Sequence, residues 1–86
     1  MLTEAEQVSE IAFAYMGSKA LFAALEFGVF SQLNDSPLTT ATLADRIGLP
    51  PERCATLMTA LTALGLTGTD AQGRHVNSPA AEAFLS

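Results

Sequence analysis

The chain has 86 residues and a net charge of −5, and 49% of its residues are hydrophobic while 15% are charged. A chain of this length forms one domain with one core, and its acidity argues against nucleic acid and anionic membranes as partners, because both carry like charge. So small a fold cannot hide this much apolar surface in a monomer, so the composition predicts a partner surface. The single cysteine excludes an internal disulfide and is typical of a reducing compartment, so we expect a cytoplasmic protein.

Two helices are predicted at the start of the chain. Thr3 is a suitable N-cap for the first, which carries apolar residues at helical spacing. These residues are Ala5, Val8, Ile11, Ala12, Tyr15 and Met16. Gly17 and Ser18 are expected to loosen the chain before a second helix over residues 19–27. Nearly every side chain of its ALFAALEF segment (20–27) is apolar, which predicts burial on more than one face. The most apolar stretch still falls short of the roughly 20 residues that span a bilayer.

A break and a short helix follow in the middle of the chain. Gly28 is expected to break or kink the second helix, and residues 34–37 are predicted to form a turn. Thr39 is the predicted N-cap of a short helix that ends at Ile47. Gly48 then occupies the position of a helix-stopping glycine, so the chain is expected to turn there.

The remaining elements complete a winged helix. Pro51 suits the first turn of a longer helix that Gly65 ends. The predicted buried stripe of this helix consists of Cys54, Leu57, Met58, Leu61 and Leu64. Residues 66–77 are predicted to form a β-hairpin with its turn at residues 70–73, and Ser78 begins a last helix. The predicted fold class is therefore mainly α, with a helix-turn-helix and short hairpin behind an N-terminal helical pair.

A helix-turn-helix raises the question of DNA binding. The predicted outward face of the longer helix consists of Glu52, Arg53, Thr56, Thr59, Ala60 and Ala63. A helix that reads the major groove needs Arg, Lys, Asn or Gln side chains together with basic neighbours that hold phosphates. Arg53 alone meets this need, and the chain has four Lys and Arg residues in all. We therefore expect a face that packs against protein, while a transcription regulator remains an alternative.

Catalytic and metal-binding motifs are not found in the sequence. The glycines form neither a dinucleotide-binding fingerprint nor a phosphate-binding loop, and one His with one Cys cannot build a zinc site. His75 is interpreted as a surface histidine beside a turn, and Cys54 as a small buried hydrophobe. Tyr15 is expected to pack in the core with its hydroxyl hydrogen-bonded. The sequence predicts no catalytic, cofactor-binding or metal-binding residue.

Three stretches carry a family resemblance. The segment MGSKALFAALEFGVFSQLN (16–34) resembles a helix in which an apolar run ends in Leu-Gly and two hydrophobic residues, with Phe27 in place of the Leu. Residues 38–66 resemble a winged-helix centre, and GRHVNSPAAEAFL (73–85) resembles a Gly-Arg-Tyr-x-Asn-Thr-Pro segment, with His75 in place of the Tyr and Ser78 in place of the Thr. Together the three stretches resemble the N-terminal dimerisation domain of class I S-adenosylmethionine-dependent (SAM-dependent) small-molecule O-methyltransferases.

This resemblance implies a non-catalytic domain that forms a homodimer and helps to close the substrate pocket of the partner subunit. The pocket-lining residues that it implies are Phe13, Met16 and Ser18. The expected dimer interface, within residues 3–33, contains Val8, Ile11, Ala12, Tyr15, Leu21, Phe22 and Leu25. The SAM site and the catalytic base are expected in a C-terminal Rossmann-like domain that is absent from these 86 residues, so no cofactor is expected in this domain itself.

The sequence is therefore interpreted as a single dimerisation domain over residues 1–86. Residues 3–33 are its dimer-forming helices, residues 38–77 its winged helix, and residues 78–86 the start of a linker helix. The parent protein is expected to methylate a small aromatic or polyketide-type secondary metabolite, and the partners are a second copy and the catalytic domain, with no nucleic acid and no membrane. A standalone protein-interaction module is a further alternative, and the substrate and the methylated atom stay open.

Overall fold

The computed structural model describes residues 17–85. In this range, residues 17–27 are helical and are called helix α1. The elements that follow are α2 (Val29–Asp35), α3 (Thr40–Ile47), α4 (Pro51–Ala63), β1 (Thr67–Thr69), β2 (His75–Asn77) and α5 (Pro79–Phe84). The two strands pair antiparallel. This mainly helical chain with one small sheet confirms the predicted fold class, while the first predicted helix (residues 3–16) lies outside the described residues.

The break between α1 and α2 lies at Gly28, as predicted. Its φ of 72° is left-handed, a conformation that glycine adopts without a steric penalty. The predicted loosening at Gly17 and Ser18 is wrong, because both residues are helical. A Cβ atom at Gly17 would lie 3.1 Å from Cδ2 of Leu64, so this glycine permits close packing of α1 against the end of α4.

Helix α2 runs further than the sequence predicted, because Asn34 and Asp35 belong to it. The chain leaves the helix at Ser36, whose φ of −169° and ψ of 157° are extended. The ring of Pro37 disfavours helical backbone in the residue before it, so the helix ends immediately before Ser36.

Local hydrogen bonds set the ends of α3 and the start of α4. The hydroxyl of Thr39 accepts a hydrogen bond from the backbone N–H of Thr42 at 3.2 Å, which confirms the predicted cap. Gly48 ends the helix with a φ of 75° and donates its N–H to the carbonyl of Ala44. Pro51 then begins α4, where its missing N–H costs no helical hydrogen bond. The helix-turn-helix therefore follows from short-range signals.

The hairpin is joined to the segment before α3. Leu38 and His75 form an isolated antiparallel bridge, in which the N–H of His75 donates to the Leu38 carbonyl at 2.7 Å and the N–H of Leu38 donates in return at 3.2 Å. At the hairpin turn, Asp70 accepts hydrogen bonds from the backbone N–H groups of Gln72 and Arg74, and the Arg74 Nε atom lies 2.8 Å from its carboxylate. The turn is thus closed by its own side chains.

One core joins the five helices of residues 17–85. Its largest fully buried side chains are Phe30, Leu43, Met58, Leu61, Val29 and Cys54. Three residues of the predicted α4 stripe are among them, and Leu57 and Leu64 pack half-buried at its edge. Within the described part of the chain, no helix is long and apolar enough to cross a membrane.

Asn77 and Ser78 attach α5 to the rest of the fold. The Ser78 hydroxyl caps the helix by accepting from the N–H of Ala81 at 3.1 Å. The Asn77 amide nitrogen donates to the Phe30 carbonyl at 2.9 Å and to the Glu82 carboxylate at 2.8 Å. Because both neighbours are acceptors, the NH₂ group faces them. Asn77 therefore ties β2 to α2 and to α5.

Candidate functional site

Helix α1 has apolar side chains on two opposite faces. Ala20 and Ala24 point inward and are 9% and 0% exposed. On the other side, Phe22 is 66% exposed and Leu25 is 46% exposed. Large apolar side chains that lie together on the surface mark interaction sites. The outer face of α1 is therefore the candidate functional site, and it contains two of the predicted interface residues.

Leu21 differs from these two residues. It is half-buried and packs against the chain's own core. Together with Gly17, Ser18, Leu64 and Leu66 it lines a shallow groove of about 300 Å³. Ser18 is exposed at this groove, and it is the predicted pocket-lining residue that the structure describes. Leu21 thus lies at the edge of the outer face of α1.

The other predicted site residues lie before the described range. Phe13 and Met16 of the expected substrate pocket fall outside it, as do the interface residues Val8, Ile11, Ala12 and Tyr15. These positions stay predictions. The predicted site residues that the structure describes therefore all lie on α1.

Comparison with known proteins gives the family. Residues 9–86 match the family model of the O-methyltransferase dimerisation domain. The chain belongs to this domain family. The resemblance predicted from the three sequence stretches is thereby confirmed.

Curated relatives of this dimerisation domain include methyltransferases. The tetracenomycin polyketide synthesis 8-O-methyl transferase TcmO of Streptomyces glaucescens is 35% identical over 78 residues, which make up 91% of this chain and 23% of that protein. The N,N-dimethyltransferase OxyT of Streptomyces rimosus is 37% identical over 84 residues, or 98% of this chain and 24% of OxyT. The solved structure of PigF with SAH matches with a TM-score of 0.86 at 32% identity, over 99% of this chain and 28% of PigF. The chain thus spans about a quarter of the length of these proteins.

The outward face of α4 in the dimerisation domain is poor in groups that read DNA. The hydroxyl of Thr56 donates back to the Glu52 carbonyl at 3.0 Å, and that of Thr59 donates to the Ala55 carbonyl at 2.9 Å. These hydroxyl protons are therefore used within the helix. Ala60, predicted to face outward, is half-buried against the core because the helix packs on a broader stripe than its large residues suggest.

His75 is buried, so its interpretation as a surface residue is wrong. It is 9% exposed, and its Nε2 atom lies 2.7 Å from the hydroxyl of Thr40. Its Nδ1 atom is buried without a hydrogen-bond partner. Burial lowers the pKa of the His75 imidazole, because the charged form loses solvation. The bridge to Leu38 places this side chain inside the fold, and no local sequence pattern revealed that contact.

Cys54 behaves as the sequence predicted. It is 0% exposed on α4, and burial raises the pKa of its thiol, which disfavours the reactive thiolate. Within residues 17–85, no group of three or more His, Cys, Asp or Glu side chains could hold a metal ion. The described residues thus offer an interaction surface as the main candidate site.

Proposed function

We propose that this chain is the dimerisation domain of a SAM-dependent methyltransferase acting on a small aromatic or polyketide-type secondary metabolite. In this proposal the domain forms a two-fold homodimer through residues 3–33 and supplies no catalytic residue. Its membership of the O-methyltransferase dimerisation family supports this role. The exposed apolar face of α1, with Phe22 at 66% exposure, is the observation that carries the proposal.

The area of this face supports an interface shared with the preceding helix. A phenylalanine side chain buries about 200 Å², so Phe22 and Leu25 together offer about 200 Å² of apolar surface at their observed exposures. A stable interface buries about 800 Å² on each partner. The remainder is assigned to the helix predicted over residues 3–16, with Val8, Ile11, Ala12 and Tyr15 as its contact residues.

The substrate pocket and its cofactor are assigned mainly to the longer protein. The relatives TcmO and OxyT are methyltransferases about four times the length of this chain. SAM carries a charged amino-acid end and ribose hydroxyls, which need several polar partners. The groove beside α1 offers the Ser18 side chain among leucines and a glycine, so the residues described do not fit this cofactor. SAM is therefore proposed for a C-terminal catalytic domain.

Phe13, Met16 and Ser18 are proposed to close the back of the partner subunit's substrate pocket. Ser18 supports this assignment because it is exposed beside the outer face of α1. In the longer methyltransferase, Phe13→Ala is expected to raise KM for the acceptor substrate while the dimer persists. An unchanged KM would remove Phe13 from the pocket.

The division into dimer-forming helices (3–33), winged helix (38–77) and linker helix (78–86) follows from this role. A cytoplasmic location is also proposed, in agreement with the free buried thiol of Cys54.

The methylated atom stays open. Both relatives are methyltransferases, but TcmO is named an O-methyltransferase and OxyT an N,N-dimethyltransferase.

Sedimentation equilibrium of the purified chain tests the homodimer. We expect a dimer of twice the 9.0 kDa chain mass. A chain that remains a folded monomer at all concentrations would refute the homodimer, and a monomer that pairs only with another protein would support an interaction module instead. A gel shift with duplex DNA at low salt is expected to show no complex, because the acidic chain repels phosphate. A shift would favour a transcription regulator instead.

A further inference from the structure

The outer face of α1 has an ordered distribution of side chains around Phe22. Successive residues of an α-helix are rotated by about 100°, so Phe22 lies at the centre of the exposed face. Ser18 and Leu25 then lie on one flank of Phe22, while Lys19 and Glu26 lie on the other flank. All five residues are exposed. The first flank thus combines a small residue with a large apolar one, and the second flank combines a cation with an anion.

We propose that two copies of α1 pack antiparallel across a two-fold axis that passes beside Phe22. Each Phe22 then contacts Phe22 of the second copy, Leu25 lies beside Ser18 of the second copy, and Lys19 pairs with Glu26 of the second copy. This arrangement rests on the proposed homodimer and adds to it the direction, the register and the charge pairs of the contact.

Helix geometry brings these pairs to the same height. A two-fold axis perpendicular to both helices places like flanks side by side and reverses the chain direction. Lys19 is three residues before Phe22, and Glu26 is four residues after it. After the two-fold rotation, Lys19 of one copy and Glu26 of the second copy therefore differ in position along the helix axis by one residue, or about 1.5 Å. The same difference holds for Ser18 and Leu25. Both flanks are therefore self-complementary in a single register.

A parallel arrangement lacks this complementarity. A two-fold axis along the helices would place opposite flanks together, so Lys19 would lie beside Ser18 of the second copy and Glu26 beside Leu25. Lys19 would then not face Glu26 of the second copy, and Glu26 would lose solvation against an apolar side chain. Charge complementarity thus favours a second copy in the antiparallel direction as the occupant of this face.

Charge reversal tests the register directly. Lys19→Glu and Glu26→Lys each turn two symmetry-related attractions into repulsions, so each variant alone should dimerise about tenfold more weakly. Mixing the two variants should give a heterodimer in which both pairs attract again, with a dissociation constant within about threefold of the unmodified chain. The double variant should recover in the same way. Glu52→Lys, on the exposed side of α4, is the control for net charge and should change little.

Analytical ultracentrifugation at low and high salt measures the two single variants, their mixture, the double variant and the control against the unmodified chain. Recovery in the mixture supports the proposal, and the single-variant defects should shrink in about 1 M salt, where exposed charges are screened. If the chain dimerises but the single variants behave normally, or the mixture does not recover, the register is wrong and the homodimer stands. If the unmodified chain is a monomer, the register and the homodimer both fall.

Discussion

Replacing Phe22 by alanine should separate dimerisation from folding. Phe22 is 66% exposed, so its ring contributes little to the core of the lone chain. In the proposed dimer the same ring is covered by the second copy. The substitution should therefore leave the free energy of unfolding of the protomer within about 0.5 kcal/mol while the dimer dissociates.

The size of the effect follows from the exposed area. At 66% exposure, a side chain of about 200 Å² hides about 130 Å² when covered, which is worth about 3 kcal/mol at 25 cal/mol/Å². Two copies give about 6 kcal/mol, of which the alanine methyl groups retain a part. Because 1.4 kcal/mol is a factor of ten, we expect the dissociation constant of the dimer to rise at least about a thousandfold.

Two matched phenylalanine variants control this experiment. Phe84 is 85% exposed but lies on α5, so Phe84→Ala should leave dimerisation unchanged. Phe30 is 1% exposed in the core, and Phe30→Ala should lower the free energy of unfolding by about 3–5 kcal/mol. Sedimentation equilibrium gives the dissociation constants, and urea melts followed by circular dichroism give stability.

Two results would refute this reasoning. If Phe22→Ala dimerises as tightly as the unmodified chain, the outer face of α1 is not the interface. If Phe84→Ala weakens the dimer while Phe22→Ala does not, the contact surface lies at the end of α5 instead.

Three further predictions concern the stability of the fold. Because burial lowers the pKa of His75 below 6.5, the folded state binds fewer protons, and the free energy of unfolding should fall as the pH drops through 6.5, by at most about 1.4 kcal/mol per pH unit. Urea melts on either side of this pH test it, and a His75→Gln variant that keeps the same dependence would contradict it. Asn77→Ala removes both hydrogen bonds of the amide and should cost about 1–2 kcal/mol in thermal melts, so an unchanged melting temperature would argue against this link. Gly48→Ala places a side chain at a φ of 75° and should cost about 1–2 kcal/mol, whereas Gly68→Ala, with open space and no positive φ, should cost clearly less in the same melts.

The ends of α3 and the start of α5 are the most predictable helix boundaries of the fold. The residue types predict Thr39 and Gly48 as the caps of α3 and Ser78 as the start of α5, and the structure places Thr39 and Gly48 at these caps and Ser78 at the N-cap of α5. Capping depends on a hydrogen bond within three or four residues, so the sequence contains all the information needed. The predicted loosening at Gly17 is wrong for the opposite reason. Its role depends on Leu64, which lies far away in the chain.

Helix α1 shows how much of the burial of a helix its apolar pattern can predict. The segment 20–27 is predicted to be buried on more than one face, and the structure buries its inner face while Phe22 and Leu25 stay exposed, so burial of the outer face remains a prediction. It could not be predicted that Leu21 packs against its own core while Phe22 is exposed. When both sides of a helix are apolar, periodicity no longer identifies the inner side, and only the packing partners decide it.

The sequence by itself determined the order of the elements, the caps, the acidic charge and the family resemblance, because these depend on near neighbours in the chain or on composition. Only the tertiary structure decided which side chains of α1 stay exposed, that Gly17 packs on Leu64, and that His75 is buried beside Leu38 and Thr40. Those outcomes depend on residues 35 or more positions apart. No local pattern encodes such a contact, since it forms only when the whole chain has packed.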